Sequence, residues 1–261
     1  MTSATGPAAT ARPVALITGA SRRINIGAAV ARKLATEGWD IALTYWRPYD
    51  GRMPWGSTPS EVDDLVEELT TLGAKSTAME ADLEDVATPQ RVVDQATAEL
   101  GPITALIMSH CESVDAAIHD TTVESFDRHF AVNARASWLL IKAFAEHFNS
   151  APGLGRIIAL TSDHTAFNLA YGASKGALDR IVIAAAAELA SQGISANVVN
   201  PGATDTGWMT DQQIRDVAAS TFGGRAGLPT DVANLVAFLC SADGGWINGQ
   251  LLYSDGGRRV P

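Results

Sequence analysis

Short apolar runs alternate with longer stretches of helical periodicity along almost the whole chain. Val14–Thr18 (VALIT) is an unbroken apolar run of strand length, and a turn of small residues leads from it into an Ala-rich helical stretch from Gly27 to about Glu37. Residues 41–45 (IALTY) make the second strand. KSTAME, ALIM, RIIALT and ISANVV, beginning at Lys75, Ala105, Arg156 and Ile194, are further strands. Helices are expected near residues 89–100, 123–149, 171–192 and 230–241. Another runs through Leu72 from Ser60, an N-cap followed by acidic residues that suit the helix dipole. Strands without polar alternation, each separated from the next by a helix, describe a parallel sheet buried on both faces. No linker, repeat or low-complexity stretch interrupts residues 13–258. The fold class is therefore α/β, with one doubly wound domain over residues 13–261 behind a flexible tail of residues 1–12.

Composition narrows what such a domain does. Of the 261 residues 46 % are hydrophobic and 18 % charged, a balance that excludes disorder and implies surface hidden by a cofactor or another subunit. The net charge of −10 leaves no basic face for nucleic acid. The longest apolar run, residues 181–187, is seven residues long, far short of the ~20 that span a bilayer. The first residues (MTSATGPAATARP) contain no hydrophobic stretch of the signal-peptide kind. Cys111 and Cys240 form no CxxC spacing, so a reducing, cytoplasmic setting is expected.

In doubly wound sheets ligands sit beyond the carboxyl ends of the strands. The first end carries Thr18-Gly19 and continues to Gly27 (TGASRRINIG). A strand, a glycine turn and a helix start form an anion site, in which backbone N–H groups and the helix dipole face a pyrophosphate. Gly19 allows the tight turn and Gly27 the close approach at the helix start. Further on, Tyr171-Gly-Ala-Ser-Lys175 places a phenol and an ammonium on one helical face, where the cation stabilises a phenolate. A tyrosine titrates near ~10, so proton transfer at neutral pH needs such help. The strand before that helix ends in Thr161-Ser162, which brings a hydroxyl to the same edge.

TGASRRINIG, NARAS, YGASK and NPGATDTG, in this order and on these elements, resemble the short-chain dehydrogenase/reductase family, with the 3-oxoacyl-carrier-protein reductase-like group nearest in character. The ending GRAGLPTDVANLVAFLCSADGGWINGQLLYSDGG is similar too, so the likeness covers about residues 13–257. It implies a Rossmann domain with a mainly parallel, roughly seven-stranded sheet. The activity implied is hydride transfer between a nicotinamide and a ketone or secondary alcohol. Tyr171 would be its acid or base, Lys175 the group that holds the nicotinamide ribose and lowers the Tyr171 pKa, and Ser162 the donor to the substrate oxygen. Asn133 would fix a water relaying protons toward Lys175. Gly19, Ser21, Arg22, Arg23, Ile26, Gly27, Tyr45, Arg47, Asp82, Leu83, Pro201, Gly202 and Thr204 would border the cofactor. Trp208 and Met209 would wall the substrate, with His164 lining the cleft. Relatives pair through the two long helices, which implies a homo-oligomer, a dimer or tetramer.

Charge argues for the form of the cofactor. The second strand ends Leu43-Thr44-Tyr45-Trp46-Arg47 with no acid for a ribose 2′-OH, while Arg22, Arg23 and Arg47 suit a 2′-phosphate, so NADP(H) is favoured over NAD(H). Three departures from the family pattern stand out. The glycine turn is two residues longer than usual, with Asn25 in place of a middle glycine, a residue that tolerates left-handed geometry. Ser109-His110-Cys111-Glu112 replaces NNAG. Ser162 precedes Tyr171 by nine positions, which shortens the loop over residues 163–170 and reshapes the cleft. His110-Cys111-Glu112 is not expected to hold metal, because neighbours on a strand point to opposite sides and no second cluster completes a set. Ser162-Asp163-His164 holds the residue types of a hydrolase triad but lacks its elbow. The aromatic insertion at residues 45–57 either covers the adenosine end or packs between subunits. The loss of NNAG keeps a second function open, a weakly active or non-catalytic dinucleotide-binding sensor or scaffold.

Overall fold

The computed structural model describes residues 12–258. Residues 1–11 of the expected tail, and 259–261 of the expected domain, lie outside that range. Arg12, assigned to the tail from sequence, is instead tied down: its guanidinium pairs with Asp40 at 3.0 Å and donates to the Trp39 carbonyl at 2.9 Å.

The chain order is β1 (Val14–Thr18), α1 (Ile26–Thr36), β2 (Asp40–Tyr45), α2 (Arg47–Gly51), α3 (Glu61–Thr71), β3 (Ser76–Glu80), α4 (Thr88–Leu100) and β4 (Ile103–Met108). There follow α5 (Val123–His129), α6 (Ala136–His147), β5 (Gly155–Leu160), α7 (Leu169–Glu188), β6 (Ile194–Asn200), α8 (Asp211–Ala219), α9 (Pro229–Cys240) and β7 (Leu251–Tyr253). The seven strands form one sheet in the order β3-β2-β1-β4-β5-β6-β7, and every neighbouring pair is parallel. This is the Rossmann arrangement, whose strand order reverses between β1 and β4.

Alternate strand residues serve two cores. Val14, Leu16, Leu106, Met108 and Ile157 face α4, α6 and α7, whereas Ala15, Ile17, Ile107, Ile158 and Leu160 face α1, α3 and α9. Each fully buried Val, Leu, Ile or Met side chain among them contributes roughly 1.5–3 kcal/mol. This two-sided burial is why the strands show no polar alternation.

Several local expectations change. Ser60 precedes α3, but its side chain makes no capping bond, so the acidic Glu61, Asp63 and Asp64 of the first turn serve that helix end. The helix expected over residues 123–149 is broken in the middle: α5 and α6 are joined by a π-helical turn, Phe130–Arg135. The helix expected over 171–192 starts two residues earlier, as α7, and finishes in a short 3-10 turn, Ala190–Gln192. Helices α2 and α8 and the three-residue β7 were not identified from the sequence, α2 and β7 being only five and three residues long and α8 a polar helix with one buried residue, Val217.

Candidate active site

The carboxyl ends of β1, β2, β4, β5 and β6 open into one cavity of about 710 Å³. Ser162, Tyr171 and Lys175 meet at one end of it. Tyr171 lies in the first turn of α7, and the Ser162 hydroxyl, just past β5, hydrogen-bonds with its phenol. Burial pushes the Tyr171 phenol well above its ordinary 10, the Cys111 thiol adds to this and Ser162 pulls it down. Lys175 is buried one turn further on, its Nζ donating to the Leu160 carbonyl at 2.8 Å and lying 5.8 Å from the centre of the Tyr171 ring. The ammonium thus sits over the ring and not on the hydroxyl. Burial lowers its pKa, and the charges of Cys111 and Asp179 raise it. A phenol held protonated at neutral pH is a proton donor, the form that carbonyl reduction requires.

The loop between Ser162 and Tyr171 is held by backbone contact. The His164 amide donates to the Ser162 Oγ at 3.2 Å, and the His164 carbonyl lies where a Cβ on Gly172 would be, at 2.0 Å. The His164 side chain is exposed at the cavity rim. Gly172→Ala is therefore expected to push this loop off α7 and lower kcat by about tenfold or more, since small misplacements of reacting groups are costly. Steady-state kinetics with unchanged far-UV circular dichroism would check this.

Asn133 is in the π-helical turn, not in regular helix. Its Oδ1 accepts from the Glu112 amide at 2.8 Å, and its Nδ2 donates to the Glu112 carbonyl and to the Ser174 Oγ, both at 2.9 Å. The turn's extra residue aims this side chain inward, so that Asn133 joins the end of β4 to α7.

The segment that replaces NNAG is built into the fold. His110 is buried, with Nδ1 2.6 Å from the Thr18 Oγ1 and Nε2 3.1 Å from the Val132 carbonyl, so its imidazole ties β1 and β4 to the π-helical turn. Its pKa drops from 6.5 to about 3, through burial first and the Lys175 charge second, while the Val132 carbonyl opposes. The neutral ring is favoured in the fold, so its contribution to stability is complete above about 6.5 and is lost as pH falls toward about 3. Urea unfolding should show stability declining across that window, with a shallower decline in His110→Asn. Glu112 is buried and ion-paired with Arg52, and burial nonetheless raises its pKa. Burial likewise raises that of the Cys111 thiol. Among the described residues no group of three or more His, Cys, Asp and Glu is placed to hold a metal ion.

The other end of the cavity carries the glycine turn. Gly19 has φ +76°, and a Cβ there would stand 2.6 Å from the His110 Cα, so only glycine allows this approach of β1 to β4. Asn25 is extended (φ −81°, ψ 168°), so the turn makes no use of its tolerance of left-handed geometry. It serves as the N-cap of α1, accepting from the Ala28 amide at 2.8 Å and donating to the Gly19 carbonyl at 2.9 Å. Gly27 follows, its Cα facing the Gly19 carbonyl. Ser21, Ile26, Tyr45, Asp82, Leu83, Pro201, Gly202 and Thr204 all border the cavity, as do Trp208 and Met209.

The three arginines separate. Arg22 is buried, donates to the Thr206 carbonyl at 2.9 Å, faces Asp50 at 3.6 Å and lies 4.7 Å over the Trp55 ring. Arg23 turns outward to Glu68 at 3.2 Å and Asp64 at 3.8 Å. Arg47 alone stays at the end of β2, over the Tyr45 ring at 5.0 Å, and forms no ion pair among the described residues. Arg22 and Arg23 are therefore held by carboxylates and not set out beside Arg47, contrary to expectation.

The insertion at residues 45–57 lines the cavity with Tyr45, Trp46, Tyr49, Asp50 and Arg52. Its inner residues bridge the glycine turn, where Asp50 and Trp55 meet Arg22, and the segment that follows β4. The Tyr49 hydroxyl donates to the Ser113 carbonyl at 3.3 Å, Arg52 meets Glu112, and the Trp55 Nε1 donates to Asp50 at 2.9 Å. The Trp55 ring stacks on Trp208 with centroids 5.0 Å apart and planes 8° from parallel. Tyr49, Asp50, Arg52, Glu112 and Ser113 were not identified as site residues from the sequence. The only signal was that both segments break the expected pattern.

Comparison with known proteins agrees with this geometry. A family described as enoyl-(acyl carrier protein) reductase matches residues 19–259. The oxidoreductase YjdA of Bacillus subtilis is 37 % identical over 94 % of this chain and 96 % of its own. The short-chain dehydrogenase/reductase FrzI of Cladobotryum is 33 % identical over 93 % of this chain and 94 % of its own. The chain belongs to the short-chain dehydrogenase/reductase family. It is an oxidoreductase of the CH–OH/C=O couple. Among solved structures, a short-chain dehydrogenase of Burkholderia cenocepacia in complex with NADP matches with a TM-score of 0.84 and 30 % identity, covering 95 % of this chain and 98 % of its own. A blue fluorescent protein from a metagenomic library, in complex with NADPH, matches with a TM-score of 0.83 and 32 % identity, covering 96 % and 99 %.

Proposed function

We propose that this dehydrogenase/reductase is NADP(H)-dependent and reduces a ketone to a secondary alcohol, or runs the reverse oxidation. The observation that carries the reading is the meeting of Ser162, Tyr171 and Lys175 at one end of a cavity whose other end is a glycine turn at a helix start. The chain's own residues fit a dinucleotide. Only glycine fits at position 19, the N-terminus of α1 faces the turn, and Tyr45, which carries the Arg47 guanidinium over its ring, lines the cavity. Gly19, Ser21 and Ile26 would hold the pyrophosphate, Asp82 and Leu83 the adenine side, and Pro201, Gly202 and Thr204 the nicotinamide side. Bound there, the cofactor supplies or accepts a hydride. Ser162 holds the substrate oxygen and Tyr171 gives it a proton, while Lys175, its ammonium over the Tyr171 ring and not on the hydroxyl, would hold the nicotinamide ribose. Asn133 holds the end of β4 against α7, so its part is to position Ser174 and the Tyr171 helix, and not to hold a water with its side chain, whose amide is already engaged. A pure sensor or scaffold would have no use for a protonated phenol aligned with a serine hydroxyl, which disfavours that alternative.

Preference for NADP(H) rests on Arg47, because Arg22 and Arg23 are engaged elsewhere. Arg47→Ala is expected to weaken NADPH binding about tenfold while leaving NADH unchanged, the value of one charge-assisted contact to a phosphate. Arg22→Ala should leave the ratio of the two affinities where it was. Fluorescence titration with both cofactors checks this, and tighter NADH than NADPH binding by wild type would contradict it.

The partner is a small carbonyl or alcohol. Among the described residues no helix is long and apolar enough to cross a membrane. Both cysteines are free, in keeping with a cytoplasmic setting. Val123 on α5 and Trp138 on α6 are exposed, and Ile183, Ala184 and Ala187 leave an apolar outer face on α7, which supports a homodimer or homotetramer through these helices.

A further inference from the structure

We propose that Tyr49, supplied by the insertion between β2 and α3, is a specificity-determining residue. Its ring walls the substrate end of the cavity and limits the enzyme to slim, uncharged carbonyl compounds. The inference rests on the function proposed above and adds a substrate class to the same site.

Tyr49 lines the cavity that Ser162 and Tyr171 line. Its hydroxyl is fixed on the Ser113 carbonyl at 3.3 Å, and Asn168 ties Ser113 to the start of α7 with an Nδ2–Oγ bond of 3.3 Å. Tyr49 therefore stands between the β4 end and the helix that carries Tyr171. The Cys111, Glu112 and Tyr171 groups all lie close enough to influence its phenol.

The wall is braced at three points. Arg52 grips buried Glu112, Asp50 holds both the Trp55 Nε1 and Arg22, and the Trp55 indole stacks on Trp208 from the loop after β6. A ring fixed by neighbours on three loops is a size limit, not a flexible cover. Charge in this quarter is already balanced: Arg22 faces Asp50, Arg52 faces Glu112 and Arg128 faces Glu84 at 3.2 Å. Each of these three guanidiniums already has its carboxylate, so a neutral carbonyl group fits best against this wall.

The test measures kcat/KM with NADPH for two methyl ketones, one bearing an n-hexyl group and one a tert-butyl group, together with the NADPH Kd by fluorescence. In Tyr49→Ala the tert-butyl to n-hexyl ratio of kcat/KM is expected to rise about tenfold or more, as pocket-volume discrimination does. Tyr49→Phe keeps the volume and should leave the ratio within about twofold, with the NADPH Kd unchanged in both variants. Tyr49→Leu gives the same reading at intermediate size if the alanine variant fails to fold. An unmoved ratio in Tyr49→Ala or Tyr49→Leu overturns the inference. So does a weakened NADPH Kd with the ratio unmoved, which would make the insertion a strap on the cofactor. Wild-type protein that reduces no carbonyl at all overturns the proposed function itself, and this inference with it.

Discussion

Tyr171→Phe is expected to lower kcat for ketone reduction by about a thousandfold, the contribution of a positioned general acid, while the NADPH Kd stays within about twofold. The reason lies in what the phenol does and does not touch. Its hydroxyl bonds with Ser162 and is kept protonated by burial, so its removal takes away the proton donor. Lys175 is anchored independently, on the Leu160 carbonyl, and the glycine turn is at the other end of the cavity. Phenylalanine keeps the ring on which the Lys175 ammonium rests, and so leaves the packing unchanged. Stopped-flow turnover beside equilibrium NADPH binding separates the two quantities. A variant that retained most of its rate would mean that another group protonates the substrate.

Gly19→Ala is expected to abolish NADPH binding and to destabilise the fold by about 3 kcal/mol, the sum of an unfavourable left-handed backbone and a steric clash. The added Cβ would come within 2.6 Å of the His110 Cα and 2.7 Å of its amide nitrogen, backbone that cannot swing away as a flexible side chain can. His110 also holds Thr18 and Val132, so displacing it loosens β1, β4 and the turn carrying Asn133 together. Gly27→Ala makes the useful control. Its Cβ would meet the Gly19 carbonyl at 3.1 Å, in a helix that alanine favours, and the loss should be much smaller. Urea unfolding and NADPH titration of the two variants check the pair.

The sheet and its covering helices were legible because two-sided burial leaves a plain mark: VALIT, ALIM and RIIALT have no polar alternation, and the intervening helices repeat on one period. The reacting trio was legible for a similar reason, since the i, i+4 spacing of Tyr171 and Lys175 fixes a common helical face. What failed depended on tertiary contact. A π-helical turn at Phe130–Arg135 changes one hydrogen-bond ring and leaves no trace in hydrophobic spacing. Asn25 was understood through its backbone tolerance, but its value is in a side chain that caps α1. Arg22 resembled a phosphate ligand in its motif, and the carboxylate that claims it, Asp50, comes from an insertion whose path no local pattern specifies. The same insertion hid Tyr49, since a tyrosine in a loop rich in Pro, Gly and Trp carries no period that says where it points.

Hydride transfer is expected between a nicotinamide held beside Pro201, Gly202 and Thr204 and a carbonyl carbon held at Ser162 and Tyr171. The most direct measurement is reduction of a ketone with NADPH carrying deuterium at the transferable position of its nicotinamide ring, followed by mass spectrometry of the alcohol. The expected product is an alcohol heavier by one deuterium, placed on the former carbonyl carbon, and none from Tyr171→Phe on the same timescale. NADPH that binds tightly while no ketone gains deuterium would contradict it.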